Sequence, residues 1–554
     1  MRADESQYAR HAADSAFKVG AATTAIGIFT LLATATRLWN LHLPATPIYD
    51  ETHVGRFLNW YHERAFFFDV HGPLAKLLMY WTATALGFDG RASCPYESTQ
   101  PFAANCSLGP QRLVPALCGA AMVPLTFATC CAMRLHPLAA FLCGWLVLID
   151  TLWLGLSRVH LNDMVQMLFI GLTHRLALRA CEPPPAPPIG NDDEAGSSSG
   201  NSHWLGTVVS LTATGLSLGC ALQCKYAMAL TTLGWLGLQN LVTLGEMIAR
   251  GNTTRAILGQ AIIRGLLLLG IPLLLHLVLL KVHLAHVPNS GNGDGYLSER
   301  FQATLVGNRH ANSVPTAVRP AFLSLAAEHA QAQFWYNRNM AILFPHGSHP
   351  FDTAWYTWPL AARGVYFGLV SNWNALAGNL DGRHTFGFFL HPNPVITLLS
   401  TFSAAAALLS LACRICRMLR PWPCGEKARS LARSRVADAL RPGGSGSLLV
   451  AYLIHWLPYA TQDRQTFLLY YLPAYFFAIL LLGRVWHAVV CAHCRPTVAT
   501  LATLVLCWWT GSISWRILPI AYGSAVRLFE WTAALRLAST ECWNDAQCWV
   551  DVRA

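Results

Sequence analysis

The chain has 554 residues, of which 54% are hydrophobic and only 12% are charged, whereas about a quarter of the residues in an ordinary soluble domain are charged. This composition argues against a soluble globular protein and predicts that most of the chain faces lipid or other buried helices. The formal net charge of +11 does not indicate a nucleic-acid partner, because no nucleic-acid motif accompanies it. Lys and Arg instead accumulate on the cytosolic loops of membrane proteins.

Apolar runs long enough to cross a bilayer recur along the chain. A spanning helix needs about 20 mainly apolar residues, because the hydrocarbon layer is ~30 Å thick and a helix rises ~1.5 Å per residue. The pattern predicts an all-α polytopic membrane protein with about eleven transmembrane helices. The predicted spans are 20–39, 113–133, 138–156, 164–178, 205–223, 227–247, 257–281, 394–412, 447–460, 466–483 and 497–518.

The segments between the spans predict the orientation of the chain. The Arg-rich segment 413–445 is expected in the cytosol by the positive-inside rule, and counting spans back from it places the N-terminus there too. A second interpretation, in which the first run is a signal peptide because Ala33-Thr34-Ala35 resembles a cleavage site, puts the same loops on the far side. The predicted parts are a cytosolic N-terminus 1–19, a membrane part 20–181 containing the far-side loop 41–112, a disordered cytosolic linker 182–203, central helices 204–283, a second far-side loop 284–392, C-terminal helices 393–522 and a far-side tail 523–554.

The best candidate active site is the acidic pair Asp50-Glu51, just beyond the first span. Adjacent carboxylates at a membrane surface can direct one group at a reacting proton while the other binds substrate or positions its neighbour. An arbitrary acidic dipeptide is more often a solvated loop or a helix N-cap. Here Asp69 and His71 follow closely among aromatic residues that suit the headgroup level, which favours a functional loop.

Charged residues at the ends of the spans give a second indication. Such charges are costly and usually mark function, although each one alone also fits a lipid-headgroup contact. A set of cations beside a carboxylate pair suits group transfer from an anionic leaving group, because Arg and Lys both bind phosphate. The residues that fall on the membrane side of Asp50 are Arg37, Arg112, Arg158, Asp163, Lys225 and Arg464.

Longer motifs around these residues resemble the protein O-mannosyltransferase family. The family's Y-D-E-x-H-F-G and F-F-F-D-V-H-P-P-L-G-K stand here as YDETHVG from Tyr49 and FFFDVHGPLAK from Phe66. The order and spacing of the motifs are kept over roughly residues 37 to 525. The further motifs are RLVPALCG from Arg112, SRVHLNDM from Ser157, GCALQCKY from Gly219, FQATLVGN from Phe301, SHPFDTAWYTWPL from Ser348, NPV from Asn393 and TFLLYYLPA from Thr466.

The resemblance implies a GT-C type glycosyltransferase, a helical membrane domain with catalytic luminal loops. Members transfer mannose from dolichyl phosphate mannose to Ser or Thr hydroxyls of secretory-pathway proteins, with inversion at the sugar carbon. It implies that Asp50 is the general base and that Glu51 binds the acceptor or orients the base. The donor-phosphate candidates are Arg112, Lys225 and Arg464, with Arg37 in support. The supporting or acceptor-site candidates are Asp163, Arg158, His53, Asp69, His71, His349 and Trp355.

Some features depart from the family pattern. Gly72 stands where the family usually has Pro, Ala354 where an Arg is common, and Pro392 where a Gly is usual. The second far-side loop shows neither the length nor the strand-turn repeat of the family's MIR domain, so we expect a minimal catalytic core. No nucleotide diphosphate leaves in such a reaction, so we expect no metal and no cofactor beyond the lipid-linked donor.

Cysteines and a sequon follow the predicted topology. Two disulfides, Cys94 with Cys106 and Cys542 with Cys548, are plausible in an oxidising lumen, and Asn105 is a candidate N-glycosylation site. Two C-x-x-C pairs at the cytosolic edge fit palmitoylation or idle thiols better than a zinc site.

The expected location is the endoplasmic reticulum membrane, or the plasma membrane in a bacterium. Ser/Thr-containing polypeptides are the expected acceptors, and the choice between a homodimer and a heterodimer with a paralogue stays open. Two alternatives also stay open: a glycosyltransferase of the same fold with a lipid or glycan acceptor, and a transporter or inactive scaffold.

Overall fold

A computed structural model describes residues 2–96, 106, 108–183, 196–315, 318–349, 351–369, 384–385, 387–419, 435–523 and 526–527 of the chain. Helices dominate these residues. In chain order the α-helices are α1 Arg2–Leu38, α2 Glu51–His62, α3 Leu74–Ala85, α4 Gly109–Ala132, α5 Pro137–Ile149, α6 Thr151–Leu156, α7 Asn162–Ala180, α8 Gly196–Leu222, α9 Tyr226–Ala249, α10 Thr254–Gly265, α11 Ile271–His286, α12 Glu299–Gln302, α13 Phe322–Leu343, α14 Pro394–Leu419, α15 Ser445–Trp456, α16 Leu472–Trp486 and α17 Pro496–Ala521.

The predicted helical membrane class is confirmed. Within the described residues, eight helical stretches are long and apolar enough to cross a bilayer. Each of the eleven predicted spans overlaps a helix. The three that fall outside the eight overlap α5 with α6, α7, and α15, which are shorter or less apolar. The α10 and α11 helices, joined by the π-helical turn Leu266–Gly270, form one stretch from Thr254 to His286.

The third predicted span is interrupted at Asp150. One carboxylate oxygen accepts hydrogen bonds from the N–H groups of Leu152 and Trp153, at 3.0 and 3.3 Å, and so caps α6. The other accepts from the backbone N–H of Asn393 and the hydroxyl of Tyr475, both at 2.8 Å. A buried acid therefore ends α5, starts α6 and ties both to α14 and α16.

The α16 helix forms the centre of the bundle. Every residue from Leu472 to Gly483 is buried, as expected for a helix that is apolar all round. It packs against α5, α14 and α15, while α4 packs against α1, α5 and α7. The far-side ends of α1, α4 and α7 together support the loop that carries Asp50.

The linker prediction was wrong at its C-terminal end. The α8 helix begins at Gly196, so 196–203 is helical, whereas 184–195 lies outside the described residues. Lengthening an existing helix adds one hydrogen bond for each residue fixed, which is far less costly than nucleating a new one. The helix of the apolar span that follows therefore extends toward the N-terminus into the polar residues 196–203.

The far-side loops contain regular structure. The first holds α2 and α3, and the second holds α12, α13 and the 3₁₀ helix Trp355–Leu360. Strand β1 (Val365–Leu369) pairs antiparallel with β3 (Gly387–Leu390), with Val365 opposite Leu390. Strands β2 (His384–Thr385) and β4 (Val526–Arg527) pair antiparallel and join the second loop to the segment that follows α17.

Candidate active site

The loop that leads to Asp50 is held by two buried arginines. Arg158 donates to the carbonyl oxygens of Trp39 and Asn40 at 2.5 and 2.8 Å, and its guanidinium lies 4.1 Å from the centre of the Tyr522 ring. Arg37 donates to the carbonyl oxygens at the end of α5, at 2.8 and 2.9 Å. Both side chains bind backbone oxygens at helix ends that would otherwise lack partners, so they fix the start of the loop.

Glu51 is fully buried and forms an ion pair with Arg112. Its two oxygens accept from Nε and Nη2 of Arg112 at 2.8 and 2.7 Å. They also accept from the backbone N–H groups of Ile48 and His160, at 3.0 and 2.9 Å. Burial raises the pKa of Glu51, but the charges and hydrogen bonds of Arg112 and His160 outweigh it and hold the pKa well below its usual range. Glu51 is therefore an ionised anchor inside the protein.

This geometry corrects two expectations. Arg112 is fully buried and its guanidinium is occupied by Glu51 and by the carbonyl oxygen of Pro44, at 2.8 Å. It has no free face for a donor phosphate, and Arg37, equally buried, has none either. Glu51 likewise has no free oxygen for an acceptor, so of its two expected roles only the positioning of Asp50 fits the structure.

Asp50 has the opposite environment. It is the N-cap residue of α2 but makes no capping hydrogen bond, and its side chain is accessible to solvent. Tyr49 before it has a positive φ of 51°, an unusual conformation for a bulky residue that turns the chain at this point. The surrounding protein raises the pKa of Asp50 by desolvation, and Asp163 raises it further, against the opposing effects of His53 and Lys225.

Lys225 lies at the start of α9 and pairs with Asp163. The Nζ atom is 3.1 Å from Oδ1 of Asp163 and 4.9 Å from the centre of the Tyr470 ring. Burial lowers the pKa of Lys225, but Asp163 and Tyr470 raise it more, so the pKa is raised overall and the ammonium stays charged. This cation is close enough to Asp50 to affect its titration.

A cavity of about 670 Å³ opens beside this cluster. Its polar wall includes Lys225, Arg464, His71 and Gln223, and Arg464 lies 3.5 Å from the Tyr470 hydroxyl. Two of the four expected phosphate-binding cations therefore face one cavity. The apolar wall comes from α9 and from the stretch α10–α11, through Leu230, Leu233, Leu268, Leu269 and Leu273. The cavity is thus cationic at one end and lined by aliphatic membrane residues at the other.

The remaining expected residues have different roles, and of those described next only His71 lines the cavity. Asp69 forms an ion pair with the buried Lys76, and burial lowers the pKa of His71 to about 4, so that its ring is neutral. His349 Nδ1 accepts from the backbone N–H of Phe351 at 3.1 Å, and its ring affects the titration of Asp50. Trp355 packs on Trp456, with ring centres 5.3 Å apart, and does not line the cavity.

Gly72 has a local explanation. A Cβ atom at this position would lie 2.5 Å from the carbonyl oxygen of Gln223, which accepts a hydrogen bond from the N–H of Leu74 at 3.0 Å. The backbones before α3 and after α8 approach too closely for a side chain. The family's usual Pro therefore does not fit this packing.

Several lining residues were not singled out from the sequence. Tyr459, Gln462, His276 and Gln333 line the cavity, and nothing in their local patterns separates them from structural polar residues. Tyr470 stands within the quoted motif TFLLYYLPA, which offered a signal. A disulfide joins Cys94 and Cys106, while Asn105, Cys542 and Cys548 lie outside the described residues.

Comparisons of the chain with family models and with known proteins all identify the same family. The family model described as dolichyl-phosphate-mannose-protein mannosyltransferase matches residues 27–287, and that of the C-terminal four TMM region of protein-O-mannosyltransferase matches residues 323–540. The chain is 30% identical over 281 residues to protein O-mannosyltransferase 1 of Drosophila pseudoobscura pseudoobscura, covering 50% of this chain and 28% of that protein. It is 29% identical over 284 residues to dolichyl-phosphate-mannose–protein mannosyltransferase 4 of Candida albicans, covering 51% and 36%. The chain therefore matches about a third of the length of these relatives.

A solved structure shows the same fold. The Saccharomyces cerevisiae protein O-mannosyltransferase Pmt1-Pmt2 complex bound to the sugar donor superimposes with a TM-score of 0.72 at 17% identity, covering 91% of this chain and 90% of that one. The two family models match in chain order: the first ends at residue 287, at the start of the second far-side loop, and the second begins at residue 323, within that loop. The chain belongs to the protein O-mannosyltransferase family and has its GT-C fold.

Proposed function

We propose that this chain transfers mannose from dolichyl phosphate mannose to Ser or Thr hydroxyls of proteins, with inversion at the sugar carbon. The observation that carries the proposal is the position of Asp50, a solvent-accessible carboxylate of raised pKa beside the Lys225–Asp163 pair. This cluster adjoins a cavity that is cationic at one end and aliphatic at the other. A lipid-linked phosphosugar has the same division of chemistry along its length.

The donor would bind with its phosphate near Lys225 and Arg464 and its polyprenyl chain against the leucines of the apolar wall. Charge develops on the phosphate oxygens as the bond to the sugar breaks. Cations that are already in place stabilise that charge without reorganisation. Asp163 holds Lys225 in position and keeps it protonated, so that the ammonium group is fixed at the polar end of the cavity.

The acceptor reaction uses Asp50 as the general base. The acceptor hydroxyl loses its proton to the Asp50 carboxylate as its oxygen bonds to the anomeric carbon. The bond from that carbon to the phosphate oxygen breaks, and dolichyl phosphate leaves with the electron pair. A single displacement of this kind inverts the configuration at the anomeric carbon. A raised pKa improves Asp50 as a base near neutral pH, while the Glu51–Arg112 pair fixes the turn from which it projects.

The setting follows from the same proposal. The active site faces the lumen of the endoplasmic reticulum, and secretory polypeptides are the acceptors. The solved relative is a Pmt1-Pmt2 complex, and we infer that this chain also pairs with a second copy or a paralogue. Two protein cations neutralise the leaving phosphate, so transfer should need no metal and should persist in a metal chelator.

Mannose transfer in proteoliposomes tests the proposal. The full chain should move labelled mannose from dolichyl phosphate mannose to a Ser/Thr peptide, and Asp50→Asn should lower kcat by about 10²–10⁴-fold, the usual contribution of a general base. Asp89→Asn, at an exposed acid of the same far-side loop, is the matched control. Full activity in Asp50→Asn would contradict the assignment of Asp50 as the general base. Transfer to a glycolipid but to no peptide would show that the chain uses the alternative class of acceptor.

A further inference from the structure

A second cavity, also of about 670 Å³, lies between α1, α5, α6 and α17 and shares no lining residue with the first. Leu32, Leu148, Leu154 and Trp508 contribute to its apolar wall, and Arg516 is its one charged lining residue. Trp508 is 72% exposed, although it lies inside a helix long enough to span a bilayer. This groove therefore opens sideways toward lipid.

The groove belongs to the membrane leaflet on the side of Asp50. The hydroxyl of Tyr522, just after α17, hydrogen-bonds to the carbonyl oxygen of Thr36 near the end of α1, so these two helix ends lie at the same level. Arg516 is five residues from the end of α17 and Trp508 thirteen, which corresponds to depths of about 7 and 20 Å. The groove thus runs from headgroup depth toward the middle of the bilayer, with its cation near the headgroups.

Arg516 differs from the other arginines at helix ends. Arg37, Arg112 and Arg158 are buried and bind backbone oxygens or a carboxylate. Arg516 is exposed and has no hydrogen-bond or ion-pair partner among the residues that the structure describes. A charge within a membrane helix is costly and is normally paired, and a lipid phosphate at the same depth can supply that pairing.

We propose that this groove binds one anionic phospholipid of the bilayer, with the lipid phosphate at Arg516 and an acyl chain along the apolar wall. Lipid is the solvent of this surface, and the guanidinium binds phosphate oxygens through paired N–H groups. Trp515 next to Arg516 is 75% exposed, and Trp is favoured at the headgroup level. The site is separate from the proposed donor cavity and plays no part in mannose transfer.

The bound lipid would act as a structural ligand. It would touch α1, α6 and α17 together, and Ser514 of the groove accepts a hydrogen bond from Asn393 at 2.9 Å. These elements support the loop before Asp50. A ligand that binds only the folded state stabilises it, so occupancy should raise the unfolding temperature.

Lipid retention measures the site directly. The full chain is extracted from bilayers of phosphatidylcholine, phosphatidylinositol and dolichyl phosphate, and the lipids that remain bound are identified by native mass spectrometry. We expect phosphatidylinositol to be retained, and Arg516→Gln to weaken its retention about fivefold, the effect of one basic residue at a membrane surface. Arg516→Lys should keep it, and Ser512→Phe should displace it by filling the groove. Arg495→Gln, at the other end of the same helix, is the matched control.

Three outcomes would overturn the assignment. The first is equal retention of phosphatidylinositol by Arg516→Gln and by the unchanged chain. The second is preferential retention of dolichyl phosphate at this groove. The third is crosslinking of a photoreactive residue at position 508 to a second polypeptide instead of to lipid. Mannose transfer by each variant reports folding, because none of the substituted residues belongs to the donor cavity or the Asp50 cluster.

Discussion

Asp50 and Glu51 are adjacent acids with opposite environments, and this difference separates their chemistry. Glu51 is enclosed by Arg112 and two backbone N–H groups, which hold it ionised. Asp50 is accessible to solvent but lies among protein atoms that disfavour its charge. Paired carboxylates whose pKa values are pushed apart commonly divide the acid–base work of a site. This difference supports the proposed assignment of the proton transfer to Asp50.

The pH dependence of transfer should report Asp50. A general base acts when deprotonated, so activity is full above the pKa of Asp50 and falls as the pH drops through it. Because that pKa is raised from the ordinary value of about 3.9, kcat should decline at a higher pH than an unperturbed carboxylate would produce. The measurement is kcat against pH with saturating donor and peptide.

The residual activity of Asp50→Asn is the control for this profile and should lack the acidic decline. A wild-type profile that stays flat down to the ordinary carboxyl range would contradict the assignment. Glu51 does not interfere, since its lowered pKa keeps it ionised throughout the measured range.

Glu51→Gln should act on stability first. It leaves Arg112 buried without its counterion, and breaking one partner of a buried ion pair costs about 3–5 kcal/mol. The unfolding temperature in detergent should fall steeply, and activity with it, whereas Asp50→Asn should keep the unfolding temperature and lose only activity. A stable but inactive Glu51→Gln protein would instead indicate a direct role in the reaction.

The buried ion pair of Glu51 and Arg112 predicts how the stability of the protein depends on pH. The folded-state pKa of Glu51 lies below its unfolded value, so the stability that its ionisation contributes is fully present above the unfolded value of about 4.3. That stability is lost as the pH falls from there toward the lower, folded-state pKa.

At the scale of elements, the sequence predicted the helices well because span length and apolar composition depend on the bilayer alone. The break at Asp150 was not predicted, since it depends on Asn393 and Tyr475, which are distant in sequence. The roles of the cations were not predicted either. The order of the spans predicts on which side of the membrane each cation lies. Tertiary packing determines that Arg112 is buried against Glu51 and that Lys225 lines the cavity.

Asn393 connects three elements and should matter for stability. Its side-chain oxygen accepts from the N–H groups of Val395 and Ile396 at the start of α14, and its amide donates to Thr510 and Ser514 of α17. Asn393→Ala removes a helix cap and leaves buried oxygens without donors, which should cost about 2–3 kcal/mol. Thermal unfolding measures the loss.

Thr30→Ala is the matched control for Asn393→Ala. The Thr30 hydroxyl is exposed and donates only to Ile26 of its own helix, so the change should be within about 0.5 kcal/mol. Equal unfolding temperatures for the two variants would show that the connection around Asp150 contributes little.

At the scale of the whole molecule, the two proposed ligand sites use different helices of one bundle. The donor cavity lies against α9 and α11, and the lipid groove lies between α1 and α17. Both sites place their cations toward the membrane side that carries Asp50. The same side carries the Cys94–Cys106 disulfide, and disulfides persist in oxidising compartments. The arrangement therefore agrees with a luminal active site.

The orientation of the bundle can be tested with cysteines that the chain already has. Cys494 is exposed in the turn between α16 and α17, at the end of the bundle away from Asp50, and should face the cytosol. In sealed microsomes a membrane-impermeant maleimide should label Cys494 without permeabilisation, as read by peptide mapping, and Cys494→Ser should lose that label. A cysteine placed at Tyr296, which is half exposed in the second far-side loop, should react only after permeabilisation. The reverse pattern would invert the chain in the membrane and move Asp50 to the cytosol, where neither secretory acceptors nor an oxidised Cys94–Cys106 pair would be expected.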